Sequence, residues 1–268
     1  QIIRETLWDK VDSAVLTSAT LGGSNDFQFI RAQLGIPEDR LKTLKLPTPF
    51  HVREQAMVVI PEDAPPVNDG RYIAALADFI EHTAGPLGGR TLVLTTSYRM
   101  LQDLAQALRP QLNARGIVTL AQGVDGSGQR LVDRFRQESA AVMLGTQSFW
   151  EGVDVPGADL SMVIMARLPF PAPGDPLEEA RHEQLQARGI SPFYHRTLPQ
   201  AIIRFQQGFG RLLRSNDDRG VVVVFDRRIL PQATRYGRQF LDALPRPKVV
   251  MVSMNEAVQE IADFFAAH

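Results

Sequence analysis

Four polar side chains recur at helical spacing in the last third of the chain: Arg204, Gln207, Arg211 and Arg214. Steps of three and four residues put them on one face of a helix. A row of guanidinium groups suits phosphate chemistry, because arginine stays charged and its planar fork matches pairs of phosphate oxygens. A solvated arginine face with carboxylate partners would show the same spacing, so spacing alone leaves both readings open. Ile202, Phe205, Phe209, Leu212 and Leu213 fall mostly on another face and are expected to meet a core. Thr197 and Gln200 form a Thr-x-x-Gln capping box, with Pro199 in the first turn, so the helix is expected to start at Thr197 and continue to Arg214. Gly208 and Gly210 each cost roughly 1 kcal/mol relative to alanine inside a helix. Close approach of another backbone or of a ligand is therefore expected at those glycines. The turn Asp217-Asp218-Arg219-Gly220 then leads into a short buried strand over 221–225.

A second group lies upstream. Residues 145–157, Gly-Thr-Gln-Ser-Phe-Trp-Glu-Gly-Val-Asp-Val-Pro-Gly, follow a short apolar run at 141–144. Hydroxyls, Trp150 and the carboxylates of Glu151 and Asp154 thus stand just past a strand's carboxyl end, where ligands of open parallel α/β sheets bind. The two carboxylates could suggest acid/base catalysis, yet no histidine or nucleophile is placed beside them. Trp150 offers a face on which a base could stack, worth ~1–3 kcal/mol; core packing is the equal alternative. Residues 91–97 read as a buried strand ending in hydroxyls, with Ser97 capping the next helix. Free backbone N–H groups and the helix dipole favour an anion there, although a plain N-cap accounts for Ser97 by itself.

Several chemistries are excluded by composition. The chain has no cysteine, which removes disulfides, thiolate metal sites and cysteine nucleophiles within these 268 residues. Its histidines (51, 82, 182, 195 and 268) show no metal-ligand spacing, and no metal held by this chain alone is expected. The only lysines are Lys10, Lys42, Lys45 and Lys248; none follows a glycine, and no Asp-Glu dipeptide occurs. A phosphate-binding P-loop and a metal-holding Asp-Glu box are therefore both missing. The net charge of −1 is low for a free-standing nucleic-acid binder, so any nucleic-acid site must be a local groove. The excess of arginine over lysine reads as a coding bias. With 44% hydrophobic and 22% charged residues the profile is that of a globular protein. No apolar run reaches transmembrane length and no signal peptide is recognisable, so a cytoplasmic protein is expected. The chain begins with Gln1 and reads as the C-terminal part of a longer protein.

These side chains need a scaffold, and the apolar pattern supplies one. Strands are expected over 56–60, 91–97, 117–121, 141–144, 161–167, 221–225 and 248–253. Helices are expected over 71–83, after Ser97, and over 129–138, 176–188 and 255–267. Residues 1–10 read as the end of a helix, 13–21 as an apolar strand running into a Ser18-Ala19-Thr20 turn, and 46–50 as a proline-containing linker. Residues 122–128 form a Gly-rich turn without the lysine or hydroxyl of a nucleotide loop. Strands alternating with helices, many of the strands continuous apolar runs, argue for an α/β fold with a parallel sheet and helices on both faces.

Gln207-Gly-Phe-Gly-Arg211-Leu-Leu-Arg214, followed by Asp218, Gly220 and Asp226-Arg227-Arg228, resembles motif VI of superfamily 2 helicases. The trailing Asp-x-Gly and Asp-x-Arg are similar to those of the DinG/XPD branch. Residues 145–157 resemble motif V, Thr96-Ser97-Tyr98 motif IV, and Ser18-Ala19-Thr20 motif III. The resemblance implies a RecA-like helicase domain 2 over 46–268, lacking its own P-loop, preceded by a remnant of domain 1 and a crossover in residues 1–45. It implies that Gln207, Arg211 and Arg214 reach ATP bound on the first domain as catalytic groups. Glu151, Gly152 and Asp154 would sit toward the nucleotide. Thr96, Ser97, Tyr98, Thr146, Ser148 and Trp150 would contact single-stranded DNA, with Arg99 adding charge. Ser18, Ala19 and Thr20 would couple ATP state to DNA grip. ATP and Mg²⁺ would be held mainly by domain 1. Relatives often carry a four-cysteine iron–sulfur cluster in their first half, and this chain cannot supply one; some carry an N-terminal exonuclease instead. The implied activity is an ATP-dependent 5′–3′ DNA helicase working as a monomer, with this part inactive alone. The competing reading is a non-enzymatic module of degenerate helicase fold that binds a protein partner or single-stranded DNA. The presence of Gln207, Arg211 and Arg214 weighs against it.

Overall fold

A computed structural model of the chain describes residues 3–21, 27–151, 160–172, 174–213 and 215–267. The chain divides into two compact units, one of residues 1–49 with 170–203 and the other of residues 50–169 with 204–268. The segment 170–203, expected within 46–268, groups by its contacts with residues 1–49. In chain order the helices and strands are α1 (Gln28–Leu34), α2 (Val52–Gln55), β1 (Ala56–Pro61), α3 (Tyr72–Ala84), β2 (Thr91–Leu94), α4 (Tyr98–Ala114) and β3 (Val118–Ala121). They continue as α5 (Gly128–Gln137), β4 (Ala141–Gly145), α6 (Gln147–Glu151), β5 (Met162–Met165), α7 (Pro176–Gln186) and α8 (Leu198–Phe209). The last are β6 (Gly220–Val224), α9 (Gly237–Asp242), β7 (Lys248–Val252) and α10 (Met254–Ala266).

The larger unit is built on one seven-stranded sheet in the order β3-β4-β2-β5-β6-β1-β7, every pairing parallel. All strands expected from the sequence after residue 50 are present, within a few residues at their ends. Met57, Val93, Val142, Ile164 and Val223 on one face share a core with α3, α4 and α10. The residues that alternate with them, among them Val58, Leu92, Met143, Val163 and Val222, are no more than 1% exposed. Both faces are thus covered, which is why the strands read as unbroken apolar runs. Parallel pairing also sends every carboxyl end to one edge of the sheet. There β2 leads to Thr96-Ser97, β3 to Gln122, β4 to Thr146, β5 to Arg167 and β6 to Asp226.

In the smaller unit the indole of Trp8 donates to the Leu34 carbonyl at 2.6 Å, and Arg40 donates to the carbonyls of Trp8 (2.5 Å) and Val11 (2.8 Å). Asp175 caps α7 by accepting from the N–H of Leu177 at 2.9 Å. The expected strand over 13–21 does not form: residues 13–18 have no regular structure, 19–20 form a turn, and Val15 is 92% exposed. An apolar, β-prone run becomes a strand only beside another strand, and the described part of this unit has none. The expected capping box at Thr197 is also absent. Helical backbone enters α8 through a π-helical turn, Phe193–Thr197, and the Thr197 hydroxyl lies 3.3 Å from His182 Nε2. No helix among the described residues is long and apolar enough to cross a membrane.

Candidate functional site

The arginine-bearing helix ends earlier than the spacing predicts. α8 stops at Phe209, and the chain turns through Gly210, with Arg211 N bonded to Gly208 O and Leu212 N to Phe209 O. Two glycines in three residues weaken the helix, and the end tightens into i→i+3 bonds. Gln207 is therefore on the helix and Arg211 on the turn beyond it; Arg214 lies outside the described residues. The apolar face is as expected, with Phe205, Phe209, Leu212 and Leu213 all at most 6% exposed. Close approach at Gly208 is real, but the neighbour is neither backbone nor ligand. A Cβ there would meet the rings of Trp150 at 2.9 Å and Cε of Met165 at 2.8 Å. Gly210 shows no such approach.

The Arg211 guanidinium donates through Nε (3.3 Å) and Nη2 (2.8 Å) to the carbonyl of Trp150. That carbonyl belongs to the last turn of α6, where helical carbonyls lack partners. The arginine turn is thereby tied to the segment that follows β4. α6 itself is packed tightly: a Cβ on Gly145 would stand 2.4 Å from Phe149 Cγ. Trp150 is 2% exposed, and its indole N–H donates to Thr95 O at 3.1 Å. Of the two readings open for Trp150, stacking on a base and core packing, the buried ring against Gly208 matches core packing. Gly152 and Asp154 lie outside the described residues, as does the side chain of Glu151.

The hydroxyl residues gather at the carboxyl ends of β2 and β4. Ser97 is the N-cap of α4, its Oγ accepting from Met100 N at 3.2 Å. Thr96 is half-buried, and Ser97, Tyr98, Arg99 and Ser148 are exposed. Thr146 is 4% exposed and its hydroxyl is 3.0 Å from Gln122 Oε1. A phosphate contact from the Thr146 hydroxyl is thus not available in this conformation. Sequence reasoning missed Gln122, which it placed in a Gly-rich turn. The amide of Gln122 bonds Tyr98, Thr146 and Ser148 together. Its only sequence signal is a polar residue directly after an apolar strand. In the smaller unit Ser18 and Thr20 form their own turn, Thr20 N donating to Ser18 Oγ at 3.2 Å, and Ser18 and Ala19 are exposed.

The trailing residues are structural. A Cβ on Gly220 would meet Ser161 O at 2.5 Å and Leu212 Cδ1 at 2.4 Å, so only glycine lets β6 start there. Asp226 is fully buried at the end of β6 and accepts from Leu168 N (2.9 Å), Arg228 N (3.1 Å) and the Arg228 fork (2.6–3.1 Å). Burial by itself pulls the Arg228 guanidinium down, but hydrogen bonds and charge from Asp226 outweigh it and leave the pKa above its ordinary value. Beside this pair, burial and the Asp226 charge push the Tyr72 hydroxyl up, and it donates toward Phe225 O at 2.7 Å.

Two other features carry no site. Among the described residues, Asp78, Glu81 and His82 stand close enough to share an ion, but Glu81 is paired with Arg115 at 2.9 Å. A cleft lined by His51, Arg53, Arg246 and Lys248 lies at the amino end of β7, the end opposite the hydroxyl cluster.

Residues 80–247 match the family described as Helicase C-terminal domain. Over 266 residues the chain is 38% identical to a Bacillus subtilis protein named 3′-5′ exonuclease DinG, covering 98% of this chain and 28% of that protein. Over 242 residues it is 38% identical to the Escherichia coli ATP-dependent DNA helicase YoaA, covering 90% of this chain and 37% of that protein. The solved structure of S. tokodaii Xpd4 superposes with a TM-score of 0.58 at 16% identity, over 92% of this chain and 47% of that one. The chain thus spans well under half the length of the relatives it matches, and the structural likeness is one of fold, a RecA-like parallel sheet.

Proposed function

Because the chain belongs to the Helicase C-terminal domain family, in its DinG/XPD-like branch, we propose that it is the second motor domain of an ATP-dependent DNA helicase moving 5′ to 3′ on a single strand. The observation that carries this reading is the bond from Arg211 to the Trp150 carbonyl. It joins the arginine turn to the β4–α6 segment, which also carries the exposed Ser148 hydroxyl proposed to meet DNA. A shift of Arg211 toward nucleotide would pull on α6, which begins just after Thr146 and carries Ser148 in its first turn.

ATP and Mg²⁺ fall to another domain in this reading, since the chain has no Gly-Lys-Ser/Thr and no Asp-Glu pair. The nucleotide supplies the phosphoryl group that is transferred. The chain's own contribution is charge: Gln207, Arg211 and Arg214 reach toward the γ-phosphate, where positioning and neutralisation carry phosphoryl transfer. Glu151, Gly152 and Asp154 line the nucleotide side. Ser97, Tyr98 and Ser148 hold the DNA backbone, and Thr96 flanks them. Residues 1–45, with Ser18-Ala19-Thr20, belong to domain 1 and its crossover. The parent protein works as a monomer in the cytoplasm, and this part alone hydrolyses no ATP.

The test is DNA-stimulated ATP turnover by the intact protein. Arg214→Ala is expected to lower it on the order of 10³–10⁵-fold, the worth of an arginine supplied to phosphoryl transfer from another domain. Its melting temperature should stay near wild type. Arg214→Lys separates charge from the planar fork. Near-wild-type turnover in Arg214→Ala, or a loss explained by unfolding, removes the arginine from the reaction. Turnover by the isolated chain would place the nucleotide site here instead.

A further inference from the structure

Gln122 follows β3 directly and is 6% exposed. Its Oε1 is 2.7 Å from Thr146 N and 3.0 Å from Thr146 Oγ1. Its Nε2 is 2.9 Å from Ser148 Oγ and 3.0 Å from the Tyr98 hydroxyl. A backbone N–H can only donate, so the amide end facing Thr146 N is the oxygen, and the two-fold ambiguity of an amide is resolved by that contact. The nitrogen therefore faces Tyr98 and Ser148.

Proton bookkeeping follows from that orientation. Oε1 has no hydrogen, so the Thr146 hydroxyl donates to it and its only hydrogen is spent. Nε2 carries two hydrogens and no acceptor, so Tyr98 and Ser148 each receive one. Each of these hydroxyls then keeps its own hydrogen, which the amide cannot accept. Both side chains are exposed, Tyr98 by 54%. One buried amide thus sorts three hydroxyls: it takes up the hydrogen of Thr146 and leaves those of Tyr98 and Ser148 for other acceptors. The amide is itself held. Gln122 N bonds Leu144 O at 3.0 Å, Gly123 N bonds Gly126 O at 2.7 Å, and Asp125 accepts from Ala121 N at 2.8 Å while paired with Arg109 at 2.5 Å.

We infer that Gln122 is a positioning residue that presets the hydroxyls of Tyr98 and Ser148 as hydrogen-bond donors to the phosphates of a single strand, and withdraws Thr146 from that role. The inference rests on the proposed DNA-binding function of this edge. Phosphate oxygens only accept, so a hydroxyl whose lone pair is already engaged and whose hydrogen faces out is pre-organised for them.

The experiment measures the affinity of the intact protein for a fluorescent oligothymidine at fixed salt. Variants are Tyr98→Phe, Ser148→Ala, Gln122→Glu, Gln122→Met and the doubles. In wild type, Tyr98→Phe and Ser148→Ala each weaken binding about tenfold, as loss of a hydrogen bond to a charged group does. A carboxylate at 122 accepts where the amide donated, so it consumes both hydroxyl hydrogens. In the Gln122→Glu background, Tyr98→Phe and Ser148→Ala should then change affinity less than about twofold. A charge effect alone would weaken Gln122→Glu but leave the two later substitutions as costly as before, and that result overturns the inference. Gln122→Met adds no charge, and severalfold weaker binding, measured well below its melting temperature, is expected; wild-type affinity overturns the inference. If Tyr98→Phe and Ser148→Ala weaken binding while both Gln122 variants bind normally, Gln122 alone is misassigned. If none of the substitutions changes affinity, the DNA reading of this edge falls, and the inference with it.

Discussion

Gly208 abuts the indole of Trp150: a Cβ at this position would stand 2.9 Å from Cζ3 and 3.0 Å from Cε3 of the ring. A substitution here sets two opposing effects against each other. Alanine gains roughly 1 kcal/mol of helix propensity over glycine. Forcing a methyl group into a filled core costs typically ~1–3 kcal/mol. Trp150 is held by its N–H bond to Thr95 O and by the Arg211 bonds to its own carbonyl, so it cannot retreat freely. Gly208→Ala is therefore expected to destabilise the protein. Gly210, whose Cβ would meet nothing nearer than Gln206 O at 3.4 Å, is the control. Gly210→Ala should be neutral to slightly stabilising, and urea unfolding of both variants checks the contrast.

The contrast also marks what the sequence could and could not reveal. The parallel sheet was legible because each strand is a continuous apolar run, GVVVV in β6 and AVMLG in β4 among them. Phe205, Phe209 and Leu212 were legible as core by their period. The end of α8 was not, because propensity could not say whether the glycines would be tolerated inside a helix or would end it. Nor could period tell a stacking tryptophan from a packed one, since Trp150 has the same spacing either way. Gln122 and Gln55 were invisible for a related reason: each acts through partners far away in sequence, and a lone glutamine carries no pattern.

Gln55 ends α2 and is 7% exposed. Its Nε2 lies 3.2 Å from Ser215 O, 2.9 Å from Asn216 O and 2.9 Å from Asp218 O. One side-chain amide thus gathers the carbonyls of the loop between the arginine turn and β6. Gln55→Leu keeps the bulk and removes the donor. Ser215 and Asn216 are exposed and Asp218 half-buried, so their carbonyls can turn to water and the effect should stay local to the loop. Amide hydrogen exchange should accelerate at residues 215–219 more than in β1, which the substitution leaves paired with β6 and β7. Uniform acceleration throughout the sheet would show that Gln55 supports the fold at large rather than this loop.

Glu178 gives a pH-dependent prediction in the smaller unit. Arg196 grips both its oxygens, at 2.5 and 2.6 Å, and Arg181 adds a bond at 2.8 Å. The Arg196 bonds hold the carboxyl at about 2, below its ordinary 4.5, with burial opposing and Arg181 assisting. A pKa lowered on folding stabilises the ionised state above the ordinary value, and the contribution disappears as pH falls through the lowered one. The stability gap between wild type and Glu178→Gln is therefore expected to hold steady above about pH 5, to shrink from about 4.5 downward and to close near 2. Thermal melts across that range read it directly. A gap that does not depend on pH would assign the loss to shape or hydrogen bonding instead of charge.

Asp226 and Arg228 form an ion pair in which Asp226 is fully buried and the Arg228 side chain 35% exposed. Such a pair is a mixed asset. The attraction has to offset the desolvation of both ions, and an apolar replacement of the whole pair is often neutral or better. Removing one partner is different, because the survivor is left charged in a poor solvent. Asp226 also accepts from the backbone N–H of Leu168 and Arg228. Asp226→Ala would remove the acceptor of both backbone donors and the carboxylate partner of the partly exposed guanidinium, and a loss of at most about 3–5 kcal/mol is expected. Arg228→Leu leaves a carboxylate still satisfied by two backbone donors, so a smaller loss is expected. Asp226→Asn keeps an acceptor for Leu168 N and should fall between them. Denaturant unfolding of the three variants and of the Asp226→Asn, Arg228→Leu double measures the coupling. If the double is as stable as Arg228→Leu alone, the aspartate's charge matters only through the arginine. If it is less stable by the full Asp226→Asn cost, the carboxylate acts chiefly on the Leu168 backbone, and its role is to fix the chain at the end of β5.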